Sequence, residues 1–400
     1  MSKPKVFEKP SGVKDYLPEA ASKLRAIEWN VLQCMDRWGY RQIITPTIEY
    51  YDTVGAASST ANERLFKLLD NKGTTLVLRS EMTAPIARVV SSLLKDEALP
   101  LRLSHHSNVF RAIEEEAGRE AEFFQTGVEL VGDGSAEADA EVVALAAACL
   151  KAAGVNQFKI ALGHIGFLNG LLNFHLSDRS EDEHVLKQYL LQRDYVGYRH
   201  YLRSLPLSTE AKEELESILR LRGGQGVIME AEQLAKDDQA KASIRHLGEV
   251  WDALQAYDVI DQVQIDLTMI GNFSYYTGLI FEGYAAELGF PVCSGGRYDN
   301  LLAQFGRPAP ATGFALATNR IMQVTADHAE EKSYRVLVIY NAANRTQAIQ
   351  AALNFREKHG YAVETQYVGE AQLPDSISVN DNQTYLYHGN VYDDILRFDN

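Results

Sequence analysis

Cysteine is scarce in this chain. Cys34, Cys149 and Cys293 are three thiols in 400 residues, odd in number and nowhere paired as Cys-x-x-Cys. That excludes a disulfide framework and a zinc ribbon, and it predicts reduced core thiols with no metal site. Long apolar runs are missing as well: none approaches the ~20 residues that a membrane-spanning helix needs. The opening Met1-Ser2-Lys3-Pro4-Lys5 has no apolar stretch, so a secretory signal is not expected. Together these absences predict a cytoplasmic protein with no membrane partner. Basic residues are the minority, 39 Lys and Arg against 54 Asp and Glu, for a net charge of -15. Nucleic-acid binding draws on neutralised phosphates, and no dense basic stripe offsets this balance, so tRNA is not an expected partner. Internal repeats and low-complexity segments are also lacking.

What is present describes an ordinary globular protein, 46% hydrophobic and 23% charged. At 400 residues the chain is too long for one ordinary core, which predicts two domains. Apolar Leu24, Ile27, Val31, Leu32 and Met35 recur at three- and four-residue steps, predicting a helix over 19–38 that stops at Gly39. Residues 40–44 are β-rich and end at Thr45-Pro46, where proline would break a central ladder. Leu76-Val77-Leu78 is a short buried strand, after which Ser80 opens a helix with Pro85 in its first turn. Two strands are predicted over 101–111 and 121–131, an alanine-rich helix over 138–153 stopped by Gly154, and a strand over 158–162. From about 164 to 260 the pattern is helical and charged, broken at Gly223-Gly224-Gln225-Gly226. Strand signals return over 263–267, 278–287 and 313–316. This order predicts an α+β fold, an antiparallel sheet flanked by helices with a helical insertion at about 170–260. A short polar linker over 326–332 separates residues 1–325 from a small α/β unit, 333–400. That unit starts as a βαβ motif: strand 334–340, helix 344–359 and strand 361–367.

Several side chains form a candidate binding site. Glu81 and Thr83 set a carboxylate beside a neutral acceptor, the pair a primary ammonium needs for strong, charge-assisted hydrogen bonds. The plain alternative is a helix cap, with Ser80 capping and Glu81 favouring the positive helix end. Gln125 and Glu129 are four apart on a strand, so both face the same way; an ordinary alternating strand with a polar face gives the same pattern. A buried carboxylate without a partner is costly. Glu81 and Glu129 together therefore call for something cationic, or a proton donor, between them.

Further segments carry a resemblance to a known family. Gly271-Asn272-Phe273-Ser274-Tyr275-Tyr276-Thr277-Gly278 and Gly295-Gly296-Arg297-Tyr298-Asp299 resemble the histidine-reading segment of histidyl-tRNA synthetases. The family reads Arg-Gly-Leu-Asp-Tyr-Tyr-Thr-Gly in the first of these. Leu78-Arg79-Ser80-Glu81-Met82-Thr83-Ala84 is similar to its Leu-Arg-Pro-Glu-Gly-Thr-Ala. Phe124-Gln125-Thr126-Gly127-Val128-Glu129 is similar to its Phe-His-Gln-Ile-Gly-Val-Glu, with Phe124 in place of the histidine. The helix, strand and proline near the N-terminus resemble the first class II synthetase signature, which builds a dimer interface. The resemblance implies a class II synthetase-like fold with a homodimer core. It also implies a histidine cleft in which Glu81, Thr83 and Gln125 take the ammonium and Glu129 accepts from the imidazole. Tyr275 and Tyr276 would enclose the ring, and Arg111 completes the expected set.

The activation chemistry is where the chain departs from that family. Gly271 replaces the catalytic arginine and Ser274 the aspartate. Phe110-Arg111 and Gly118-Arg119 keep the spacing of the second signature, but Ile113 replaces the adenine-reading glutamate and Glu114-Glu115-Glu116 fills the loop that should cover polyphosphate. Negative charge beside triphosphate is repulsive, more so at low dielectric. In the third signature, Thr312-Gly313-Phe314-Ala315-Leu316-Ala317-Thr318-Asn319-Arg320, the matching arginine is Arg320, here expected in a structural role. Transition-state stabilisation of the lost kind is typically worth several kcal/mol. No catalytic residue and no cofactor are therefore expected.

A synthetase body without its activation chemistry resembles the regulatory subunits of ATP phosphoribosyltransferase, over roughly residues 5–325. The resemblance implies a noncatalytic partner of a short-form catalytic subunit, with L-histidine as effector and a larger hetero-oligomer as the assembly. The small C-terminal unit resembles a truncated anticodon-binding domain. The alternatives are a divergent histidyl-tRNA synthetase, an amino-acid-modifying relative that binds ATP, and a binding module with an unrelated partner.

Overall fold

The computed structural model describes residues 8–58, 60–112, 120–271, 275–326, 334–369, 377–379 and 384–398. Two compact units result, Met1–Ala326 and Asp327–Asn400. The expected linker lies, apart from Ala326, outside the described residues.

A nine-stranded sheet organises the first unit. Its order runs Arg41–Gln42, Leu101–Phe110, Glu122–Val131, Ala311–Ala317, Cys293–Arg297, Leu279–Ala285, Phe158–His164, Val263–Asp266 and Arg222–Gly223. The six strands from Leu101–Phe110 to Phe158–His164 pair antiparallel throughout. The expected antiparallel pairing is interrupted at two junctions outside these six. Arg41–Gln42 joins Leu103 and Ser104 in parallel, and Phe158–His164 joins Val263–Asp266 in parallel. Both partners arrive after long excursions, and only a crossover, never a tight hairpin, can deliver a parallel neighbour. The glycine break in the helical region is likewise part of the sheet: Arg222–Gly223 pairs with Asp266 and Ile265 and stitches the insertion to the sheet edge.

Alternation along each strand separates two layers. Val128, Leu130, Phe281, Phe314 and Leu316 point into the main core, under the helices Pro18–Arg37, Ala136–Ala152 and Asp238–Ala256. The helix Pro18–Arg37 buries Leu24, Ile27, Val31, Cys34 and Met35, and Leu32 packs half-buried against the same core. Gly39, at φ +82, makes the left-handed turn that ends it. The alanines of Ala136–Ala152 let that helix lie close to the sheet. Its start is capped by Ser135, whose Oγ accepts the Ala138 N–H at 3.2 Å, a contact worth about 1 kcal/mol. The other face of the sheet carries a smaller apolar layer, in which Met82, Ile86 and Val90 meet Leu103, Val131, Tyr298 and Leu301. Cys293–Arg297 was not foreseen as a strand, because Gly295 and Gly296 weaken every local β signal. A three-stranded sheet of Ile48–Tyr50, Thr75–Leu78 and Lys67–Leu69 stands apart from the large one.

In the second unit Ala362–Tyr367, Arg335–Tyr340 and Asp394–Phe398 form a parallel sheet, with the helix Arg345–His359 packed on it. The βαβ start thus has a third parallel strand, preceded by the small hairpin Tyr385–Tyr387 and Asn390–Tyr392.

Candidate functional site

On the smaller apolar layer the sheet opens into a cleft. Glu81, Thr83, Gln125, Glu129, Tyr275 and Tyr276 all line it, although they come from three separate segments of the chain. Arg111 is not among the lining side chains. Its Nε donates to the Ser80 carbonyl at 2.8 Å, and its guanidinium lies 5.2 Å from the Phe123 ring centre.

Glu129 sits low in the cleft, 2% exposed, on the strand Glu122–Val131. Cross-strand register sets it opposite Gly313, and the missing side chain there is what admits the carboxylate. A Cβ on Gly313 would stand 2.0 Å from Glu129 Oε2 and 2.4 Å from the Val128 carbonyl. The Tyr298 hydroxyl donates to Glu129 Oε2. Burial pushes the Glu129 carboxyl up to about 8, the facing Glu81 adds to the shift, and the hydroxyls of Tyr298 and Thr83 oppose it.

Glu81 lies at the start of the helix Thr83–Ser92 and accepts the N–H groups of Thr83 at 2.5 Å and Ala84 at 3.0 Å. The predicted helix start therefore moves from Ser80 to Thr83, with Glu81 holding the first free amides while the Ser80 hydroxyl meets Ser58 Oγ at 2.9 Å. Burial raises the Glu81 carboxyl as well, against the pull of the two amides and of Arg111. Two carboxyl groups thus face one low-dielectric space, which favours a shared proton or a bound cation. Desolvation keeps the Tyr275, Tyr276 and Tyr298 phenols neutral, with pKa values above the ordinary tyrosine range. Tyr275 packs edge-on against both of the others, at 5.1 and 5.7 Å between ring centres. The wall is thus aromatic, uncharged and rich in hydroxyl groups.

Arg297, next to Tyr298 in sequence, fixes this wall from behind. It bonds Asp139 Oδ2 at 2.9 Å, the carbonyls of Asp133 and Ser135 at 3.1 Å each, and Asp299 Oδ1 at 3.2 Å. The Thr277 N–H donates to the Arg297 carbonyl at 2.8 Å, tying the tyrosine segment to the same strand.

The positions of the lost chemistry divide between described and undescribed residues. Ile113, Glu114, Glu115, Glu116, Gly118, Arg119 and Ser274 lie outside the described residues. Gly271 is described: a Cβ there would fall 2.6 Å from Tyr276 Cδ2, so any larger residue would collide with a cleft tyrosine. Asn319 accepts the Phe124 N–H at 2.9 Å and donates to the Tyr16 hydroxyl and Glu120 Oε2 at 2.7 Å each. Arg320 donates to the Pro291 carbonyl at 2.6 Å and lies 5.4 Å from the Phe290 ring centre, a structural role.

Sequence reasoning assigned no role to Tyr298, Ser294, Met82 or His105, which also line the cleft. Tyr298 had a signal, since it lies in the Gly-Gly-Arg-Tyr-Asp segment. Met82 had one too, between Glu81 and Thr83 in its motif, whereas Ser294 and His105 had none, because cross-strand register brings them there.

Comparison with known proteins decides the family. The histidyl-tRNA synthetase family profile matches residues 12–321. An ATP phosphoribosyltransferase regulatory subunit from Halalkalibacterium halodurans is 44% identical over 381 residues, 95% of this chain and 96% of that protein. The chain belongs to the ATP phosphoribosyltransferase regulatory subunit family. Its Bacillus subtilis member is 43% identical over 382 residues, 95% of this chain and 97% of that one. A solved structure of an ATP phosphoribosyltransferase regulatory subunit/histidyl-tRNA synthetase from Bacillus halodurans superposes with a TM-score of 0.89 at 42% identity, covering 100% of both chains. A histidyl-tRNA synthetase from Nostoc shares the fold alone, with a TM-score of 0.75 at 20% identity over 92% of this chain and 88% of that one. The class II synthetase-like body of this regulatory-subunit family is thereby established for the chain.

Proposed function

We propose that the chain is a noncatalytic regulatory subunit of ATP phosphoribosyltransferase, the enzyme of the first step of histidine biosynthesis. It activates a short-form catalytic subunit and carries feedback inhibition by L-histidine, bound in the cleft. One observation carries the reading: two buried carboxyl groups, Glu81 and Glu129, face one aromatic cleft. Histidine offers an ammonium to one and an azole ring to the other. Gly271, hemmed in by Tyr276, supports loss of catalysis, because the position cannot hold an arginine without displacing that ring. Feedback then needs a coupling of only about 1–3 kcal/mol between the cleft and the partner's active site. Exposed Ile48, Tyr50 and Leu68 share one face of the small three-stranded sheet, which favours a homodimer core within the hetero-oligomer.

The test has three parts. Calorimetry measures histidine binding, co-purification measures capture of a short phosphoribosyltransferase, and turnover of that enzyme is followed with and without the chain. We expect binding, capture and histidine-sensitive activation. Pyrophosphate exchange with histidine and ATP, or turnover indifferent to histidine, would defeat the reading.

A further inference from the structure

His105 lies on the strand Leu101–Phe110 and is 1% exposed, yet it lines the same cleft as Glu81 and Glu129. Its register partner is Gly127, midway between Gln125 and Glu129 on the neighbouring strand. A Cβ on Gly127 would fall 2.8 Å from His105 Nε2, so the imidazole occupies the space that the glycine leaves beside the cleft. Its Nδ1 is buried and has no hydrogen-bond partner. A neutral imidazole carries one donor and one acceptor, and buried polar atoms in folded proteins are almost always paired. A phenylalanine or leucine would fill the site without that cost. Burial, reinforced by neighbouring His106 and Arg79, pulls the ring down to about 3, so it stays uncharged. It therefore faces a cationic ligand without repulsion.

We infer that His105 is a specificity-determining contact of the cleft, hydrogen-bonding through its imidazole to a polar group of the bound amino acid between Gln125 and Glu129. This rests on the proposed binding of histidine there. Glu81 and Glu129 attract positive charge of any shape, whereas a directional neutral partner in the middle of the cleft selects a ligand with a polar atom at that level.

The full chain is titrated calorimetrically with L-histidine as wild type, His105→Phe and His105→Gln, with urea unfolding of each to verify the fold. Loss of one ligand hydrogen bond makes His105→Phe roughly tenfold weaker, while His105→Gln, which keeps a donor and an acceptor, stays within about threefold of wild type. A folded His105→Phe that binds as tightly as wild type overturns the inference and leaves the functional reading standing. A wild type that does not bind histidine overturns both. Should His105→Phe not fold, wild-type chain labelled with 15N in its histidine rings gives the answer. The His105 nitrogen signals must move when unlabelled L-histidine is added, and an unmoved pair sinks the assignment.

Discussion

Protonation of Glu129 yields the sharpest expectation. Its carboxyl is held at about 8 in the ligand-free protein, while the histidine side chain in solution titrates near ~6.5. In the proposed complex Glu129 and the ligand imidazole share one proton, whichever atom carries it. Between about pH 6.5 and 8 the free protein already supplies that proton and the ligand none, so binding neither takes up nor releases one. Below that window both partners are protonated and one proton must leave. Above it neither is, and one must be taken up. Histidine affinity is therefore highest on a plateau from about 6.5 to 8 and falls toward tenfold per pH unit on each side, roughly 1.4 kcal/mol per unit. Calorimetry in buffers of different ionisation enthalpy reads both the affinity and the proton count. Among the other facing groups, His105 is neutral across this range, the three tyrosines stay protonated, and Glu81 keeps its two backbone amides. In Glu129→Gln the upper limb disappears and the lower one remains. Affinity that is flat from pH 5.5 to 9, or an upper limb that survives in Glu129→Gln, refutes Glu129 as the imidazole partner.

The same shift fixes the stability of the ligand-free protein. A carboxyl raised on folding stabilises below its unfolded value, and that contribution is lost as pH rises through about 8. Glu129→Gln should therefore raise the melting temperature more at pH 8.5 than at pH 5, and an equal effect at both would contradict it. Gly313→Ala places a Cβ against both Glu129 and the Val128 backbone; we expect about 1–3 kcal/mol of destabilisation by urea unfolding and a loss of histidine binding. Asp139→Asn leaves Arg297 short of its buried countercharge and should cost about 3 kcal/mol on the same assay, with weaker binding through a loosened Tyr298. Gly271→Arg introduces the arginine of the synthetase segment but meets Tyr276, so pyrophosphate exchange should stay at background.

Much of this protein was legible in one dimension because its signals are local. Periodicity placed the helices Pro18–Arg37 and Ala136–Ala152 and the long hairpin, since a buried stripe repeats within a few turns or pleats. Gln125 and Glu129 could be assigned to one face from spacing alone, and the Tyr275–Tyr276 pair was visible as a motif. The helix start at Thr83 was not, because a cap is decided by which side chain reaches the first amides, and Glu81 reaches them while Ser80 turns to Ser58.

By itself the sequence determined the two-unit organisation to expect, the family motifs and the acidic, aromatic character of the site. Only the tertiary structure decided the parallel junctions at Arg41–Gln42 and Val263–Asp266, the bond of Arg111 to the Ser80 carbonyl, and the arrival of His105 and Tyr298 in the cleft. The physical reason is range. Pleat and helix periods act over a few residues, whereas the bonds that shape this cleft, Tyr298 to Glu129 and Arg297 to Asp139, join positions more than a hundred residues apart, and register alone makes them neighbours.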